Sequence, residues 1–111
     1  MKIQILTKQI KSSPELESII EKKVGALEKY ILRLERKGEI IVDIEVARTT
    51  EHHRHGNIFY AEATMQLPHK ILRAEENADT IESAIDGMKD KLKMEIMKYR
   101  ELHILRNKRT I

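Results

Sequence analysis

The stretch from Lys70 to Arg100, KILRAEENADTIESAIDGMKDKLKMEIMKYR, decides the fold, because a short extended pattern passes within it into a long amphipathic helix. Ile71-Leu72-Arg73-Ala74-Glu75 follows a Pro68-His69 turn and reads as a strand. Asp79, with Glu82 three residues on, is the expected helix cap. Ile81, Ala84, Ile85, Met88, Leu92, Ile96 and Tyr99 then recur at three- and four-residue steps, which gives one apolar stripe facing a core. The polar side of the same helix is basic. From Met88 to Ile111 stand Lys89, Lys91, Lys93, Lys98, Arg100, Arg106, Lys108 and Arg109 against Asp90, Glu95 and Glu101, so this end carries +5 of a formal net charge of +3 and the rest of the chain is slightly acidic. A cationic helix on a nearly neutral body points to a phosphate-bearing partner.

Upstream, Ile3 and Ile5 alternate with Lys2 and Gln4 as a first strand. Ser13-Pro14 supplies a capping hydroxyl and a proline at the first helical position, where its missing N–H costs nothing. Leu16, Ile19, Ile20, Val24, Leu27, Ile31 and Leu34 predict one helix of five or six turns, closed at Lys37-Gly38. Two alternating runs follow, Ile40 to Val46 and Phe59 to Leu67, separated by a polar loop from Thr49 to Asn57. The order is β-α-β-β-β-α, an α+β fold. One apolar stripe per helix and one apolar face per strand predict a four-stranded mixed sheet with both helices packed on one face and the other face in water. Residues 1–100 are expected to form this single domain, and 101–111 a frayed basic tail.

A chain of 111 residues with 41% hydrophobic content supports one modest core. No apolar run approaches the ~20 residues of a membrane span, and the start lacks the form of a signal peptide, so a cytoplasmic protein without a membrane partner is expected. Cysteine is absent, which excludes disulfides and thiolate chemistry. The four glycines are isolated and no phosphate loop, nucleophile elbow or HExxH appears, so neither an enzyme nor a small-molecule substrate is expected. His52, His53 and His55 crowd one loop, but without a supporting ligand set a solvated turn is the expectation, with no metal and no cofactor. Asp86 and Asp90 lie one helical turn apart, and their lysine neighbours suggest ion pairing rather than acid–base work.

The charges of the first helix are sorted. At 100° per residue Lys22, Lys29, Arg33 and Arg36 fall on one flank of its stripe and Glu17, Glu21, Glu28 and Glu35 on the other. On the last helix Lys89, Lys93 and Arg100 form a strip along one flank, with Lys91 and Lys98 on the other. Neighbouring helices would let these strips border a common groove for phosphates. The water-facing side of the sheet should show Gln4, Asp43, Glu45, Tyr60, Glu62, Thr64, Gln66, Arg73 and Glu75, too acidic and too poor in aromatics to stack bases. Two function classes fit these residues: a general double-stranded-RNA binder on the same helical face, and a protein-interaction module with a basic groove.

Ser13-Pro14-Glu15-Leu16, Lys23 with Leu27-Glu28-Lys29, Ile71 through Glu76, and Ala84-Ile85-Asp86 through Asp90-Lys91-Leu92 to Lys98-Tyr99-Arg100 stand in the order and spacing of a known group. Over residues 2 to about 100 the chain resembles the short ribosome hibernation-promoting factors, which include ribosome-associated inhibitor A, within the sigma-factor-modulation protein family. The resemblance implies a fold similar to double-stranded-RNA-binding domains. It also implies binding to the small ribosomal subunit and its ribosomal RNA, in the channel used by messenger and transfer RNA near the decoding centre, and inhibition of translation under stress or in stationary phase. Lys22, Lys23, Lys29, Arg33, Lys89, Lys91, Lys93, Lys98 and Arg100 are then expected to contact RNA phosphates, with Lys23, Lys91 and Lys98 matching family positions most directly. Glu82 and Thr80 depart from the aromatic and the acid usual in the family. Long members pair ribosomes through a second domain for which this chain has no room, so it is expected to be a monomer off the ribosome and to act, if in pairing at all, with another hibernation factor.

Overall fold

The computed structural model describes residues 1–49 and 58–109, the last seven of these by backbone alone. Four strands, β1 (Lys2–Lys8), β2 (Ile41–Arg48), β3 (Phe59–Leu67) and β4 (Lys70–Ala78), form one sheet in the order β1-β2-β3-β4. Between β1 and β2 run α1 (Pro14–Gly25), a 3-10 turn (Glu28–Tyr30) and the short α2 (Leu32–Glu35), and α3 (Ile81–Arg109) follows β4. The helical crossover returns the chain in the same direction, so β1 and β2 pair in parallel, whereas the other two pairs are antiparallel. At the β3–β4 hairpin Leu67 pairs with Lys70 across Pro68 and His69. The element order and the mixed sheet are those the alternation predicts.

Alternation sets the layers. Val42, Ile44 and Val46 of β2, Ala61, Ala63, Met65 and Leu67 of β3, and Leu72 and Ala74 of β4 are buried beneath the helices, and their chain neighbours face outward. The helices contribute Leu16, Ile20, Val24, Leu27 and Ile31 from the first segment, and Ala84, Ile85, Met88, Leu92 and Ile96 from α3. Alanines on the sheet leave space for the larger helical side chains, which keeps the interior filled. No polar or charged side chain is buried among the described residues. Truncating a fully enclosed residue such as Ile20 to alanine should therefore cost about 2 to 5 kcal/mol.

Four boundaries differ from the sequence expectation. The first helix is not continuous: after Gly25 the backbone tightens, with Leu27 N–H donating to the Val24 carbonyl at 3.0 Å and Tyr30 N–H to that of Leu27 at 3.0 Å. Glycine favours the break because it orders in a helix at a cost of about 1 kcal/mol relative to alanine. The cap of α3 is Thr80, whose hydroxyl accepts from Ser83 N–H at 3.1 Å, where Asp79 was expected. Strand β4 extends three residues past Glu75, to Ala78. Finally, α3 continues past Arg100 to Arg109, since neither glycine nor proline interrupts that stretch. Ser13 does cap α1, accepting from Leu16 N–H at 3.1 Å. The loop expectation for His52, His53 and His55 lies outside the described residues.

Candidate nucleic-acid interface

The break after Gly25 governs where the basic side chains of the first helical segment go. It carries the 3-10 turn toward the middle of α3, so that Tyr30 becomes the hub of three cations from two elements. Lys29 Nζ and Lys93 Nζ each lie 5.3 Å from the centre of the Tyr30 ring, and Arg100 Cζ lies 6.0 Å from it. Lys93 beside the hydroxyl, with Lys29, holds the Tyr30 phenol below its usual range. Among the described residues no carboxylate lies within ion-pair distance of Lys29, Arg33, Lys93 or Arg100. Arg33 and Arg36 are exposed on the same side, against a cavity they share with Tyr30 and Arg100. Here the sorted flank of the first segment does meet the strip on α3.

The other predicted cations are held by acids. Lys23 of α1 donates to Asp86 Oδ1 of α3 and lies 3.7 Å from Glu82 Oε1, and its side chain is only 25% exposed. Asp86, above all by this hydrogen bond, raises the Lys23 pKa. The two helices are thus clamped across their seam, and Glu82, a departure from the family pattern, has a partner here. Lys91 reaches from α3 to the edge strand, 3.3 Å from Glu76 Oε2, and donates to the Glu75 carbonyl at 3.2 Å. Lys98 lies 3.4 Å from Glu95 and Lys89 3.2 Å from Asp90. Lys22 is exposed on α1, beyond the break, and does not line the Tyr30 cavity.

Gly87 makes the Lys91 contact possible. A Cβ at that position would lie 2.6 Å from Glu76 Cγ, so only glycine lets this glutamate lie across α3. Two residues of the interface escape a reading by sequence. Tyr30 sits off the apolar stripe and Tyr99 on it, yet both line the cavity beside Arg33 and Arg100. A tyrosine next to Lys29 is the only signal in the sequence, and nothing in it reports that Lys93 lies opposite.

The outer face of the sheet carries charges of both signs. Glu45, Glu62 and Glu75 occupy one cross-strand row. Tyr60 donates its hydroxyl to the Glu62 and Glu75 carboxylates, 2.5 and 2.8 Å away, and Arg73 donates to Glu62 at 2.8 Å. Burial, with those two acceptors, pushes the Tyr60 phenol far above its ordinary value, while Tyr60 and then Arg73 hold Glu62 below its own. Lys8, 3.2 Å from Glu45, and Arg73 are both engaged by acids of this row. Among the described residues no group of acids and histidines is placed to hold a metal, and no helix is long and apolar enough to cross a membrane.

A four-stranded mixed sheet with a row of glutamates on its open face, covered on the other by helices that carry cations without acid partners among the described residues, defines an α+β domain of β-α-β-β-β-α order. Residues 3–103 match the family described as Sigma 54 modulation protein / S30EA ribosomal protein, and the chain belongs to that family of ribosome-associated modulation factors. Among solved structures it is similar to the N-terminal domain of Thermus thermophilus Protein Y, with a TM-score of 0.71, 22% identity, and coverage of 89% of this chain and 99% of that one. It is also similar to a ribosomal subunit interface protein from Coxiella burnetii, with a TM-score of 0.68, 25% identity, and coverage of 91% and 99%. No curated protein matches it.

Proposed function

We propose that the protein binds the small ribosomal subunit in the channel used by messenger and transfer RNA, near the decoding centre, and keeps ribosomes inactive when growth slows. The observation that carries this reading is the convergence of Lys29, Arg33, Lys93 and Arg100 from three elements, with no carboxylate among the described residues to neutralise them. Such cations neutralise phosphates without first giving up a partner. Family membership supports the reading, as does the likeness to a protein named for the ribosomal subunit interface. The cytoplasm, where ribosomes are, is then its place of work.

In this reading Lys22, Lys23, Lys89, Lys91 and Lys98 extend the contact, each paired lysine exchanging a carboxylate for a phosphate. Residues beyond Arg100, on the last turns of α3, add further salt-sensitive attraction. The number of phosphates engaged sets the salt dependence. Four contacts give a slope of log K against log salt of about −3 to −4, and all nine give about −6 to −8.

Cosedimentation with purified small subunits tests the proposal. Binding that transfer RNA displaces supports it, and the slope counts the contacts. Equal affinity for arbitrary RNA duplexes would instead assign the helical face to general double-stranded-RNA binding.

A further inference from the structure

The cavity beside Tyr30 holds about 360 Å³ and combines two kinds of wall. Tyr30, Tyr99 and Leu32 present aromatic and aliphatic surface, while Lys29, Arg33 and Arg100 stand around it, and among the described residues no acid lines it. Its volume lies at the small end of ligand sites. A purely electrostatic surface has no use for the open part of this wall: Leu32 is 57% exposed, and Tyr30 and Tyr99, which pack against the core, keep part of their surface open beside cations that no acid among the described residues neutralises.

We infer that this cavity takes one unpaired nucleotide, its base against the tyrosine and leucine surface and its phosphate on Lys29, Arg33 and Arg100. The chemistry fits in both halves. A nucleobase is flat and stacks on an aromatic ring whatever its sequence, and a guanidinium pairs with phosphate in bidentate geometry. The ammonium groups of Lys29 and Lys93, now over the Tyr30 ring on long flexible stems, can turn to the phosphate and leave a ring face to the base. An acidic peptide would satisfy the cations but leave the aromatic wall without a partner of matching shape. The same ligand has two sources, a nucleotide splayed out of an RNA strand or a free mononucleotide. In its RNA form the inference deepens the proposed ribosomal function and rests on it.

The test titrates the full chain with adenosine 5′-monophosphate, inorganic phosphate, a short oligoadenylate and an abasic strand of equal length. The protein has three tyrosines, so their ring signals in NMR are readily assigned. Adenosine monophosphate should shift Tyr30 and Tyr99 and leave Tyr60 alone, and phosphate should not reproduce that pattern. The base-bearing strand should bind roughly 5- to 150-fold more tightly than the abasic one, the span expected for one stacked base. Tyr30→Leu should remove this preference, Tyr30→Phe should keep it, and Arg33→Gln should weaken both strands alike. Should Tyr30→Leu unfold the domain, Leu32→Asp, at an exposed position, places an acid in the cavity and should abolish nucleotide binding in a folded protein. Equal affinity of the two strands for the native protein, or a preference that survives Tyr30→Leu, overturns the inference. Sedimentation of folded Tyr30→Leu with small subunits identifies the source: loss assigns an RNA nucleotide, and retention with lost mononucleotide binding assigns a free one. If the native chain fails to sediment at all, the ribosomal proposal falls, and the mononucleotide titration alone decides the cavity.

Discussion

Replacing Asp86 by asparagine should push stability and ribosome affinity in opposite directions. Asp86 Oδ1 accepts from Lys23 Nζ across the seam between α1 and α3, 63 positions apart in sequence. The substitution keeps the shape of the side chain and removes the charge that holds the ammonium. Asp86 is 43% exposed, so the pair is screened and its loss should cost at most about 1 kcal/mol. That corresponds to about 4–8 °C in a domain of this size. The released Lys23 gains freedom to meet a phosphate. One added contact steepens the salt slope by about 0.7 to 0.9, which at 0.1 M salt amounts to about a five- to eightfold gain in affinity. Thermal unfolding and sedimentation with small subunits across a salt series measure both quantities on the same protein. If affinity falls together with the melting temperature and the slope does not change, Lys23 is a clamp between helices and contacts no phosphate.

Lys91→Glu combined with Lys98→Glu should abolish small-subunit binding with an unchanged circular dichroism spectrum, because both side chains are exposed and off the core; retained inhibition of translation by that variant would refute their assignment to RNA. Gly87→Ala gains up to about 1 kcal/mol of helix propensity but drives Glu76 aside. The gain should therefore appear in full only when Glu76→Ala is also present, a non-additivity that urea titration of the single and double variants reads out. Glu62 is held below its ordinary carboxylate value of 4.5, chiefly by the Tyr60 hydroxyl, so its contribution is present above that pH and is lost as pH falls through the lower folded value. Tyr60 is displaced upward, so its contribution holds below pH 10 and is lost only in stronger alkali. Glu62→Gln should flatten the acid limb of a plot of stability against pH, and an unaltered limb would contradict the network.

The sheet was legible because burial on one face imposes a two-residue period, which β2 keeps from Val42 to Val46 and β3 from Ala61 to Leu67. The break after Gly25 was not. Both α and 3-10 geometry return near the same face after three residues, so the step from Val24 to Leu27 stays buried in either, and the apolar pattern is blind to the change there. The charge sorting on the first helix placed Lys22, Lys29, Arg33 and Arg36 on one flank, and the structure keeps the last three together on the Tyr30 cavity while Lys22 stands apart on α1. What separates free cations from paired ones depends on residues distant in sequence: Asp86 for Lys23, Glu76 for Lys91, and Tyr30 for Lys93. Tyr99 read as core because it continues the stripe of α3, and it is at once packed against the core and open to the cavity.

The row of Glu45, Glu62 and Glu75 on the open side of the sheet has a further consequence. Lys8 and Arg73 offset two of these acids, whereas Lys29, Arg33, Lys93 and Arg100 face no acid among the described residues, so uncompensated positive charge is concentrated on the helical side and gives the molecule a dipole through the thickness of the sheet. In the field of a polyanion that dipole experiences a torque as well as an attraction, and the protein turns its helices toward the phosphates before touching them. Neutralising the glutamate row would leave the cations of the helical side in place and yet slow capture, because more collisions would arrive facing the wrong way.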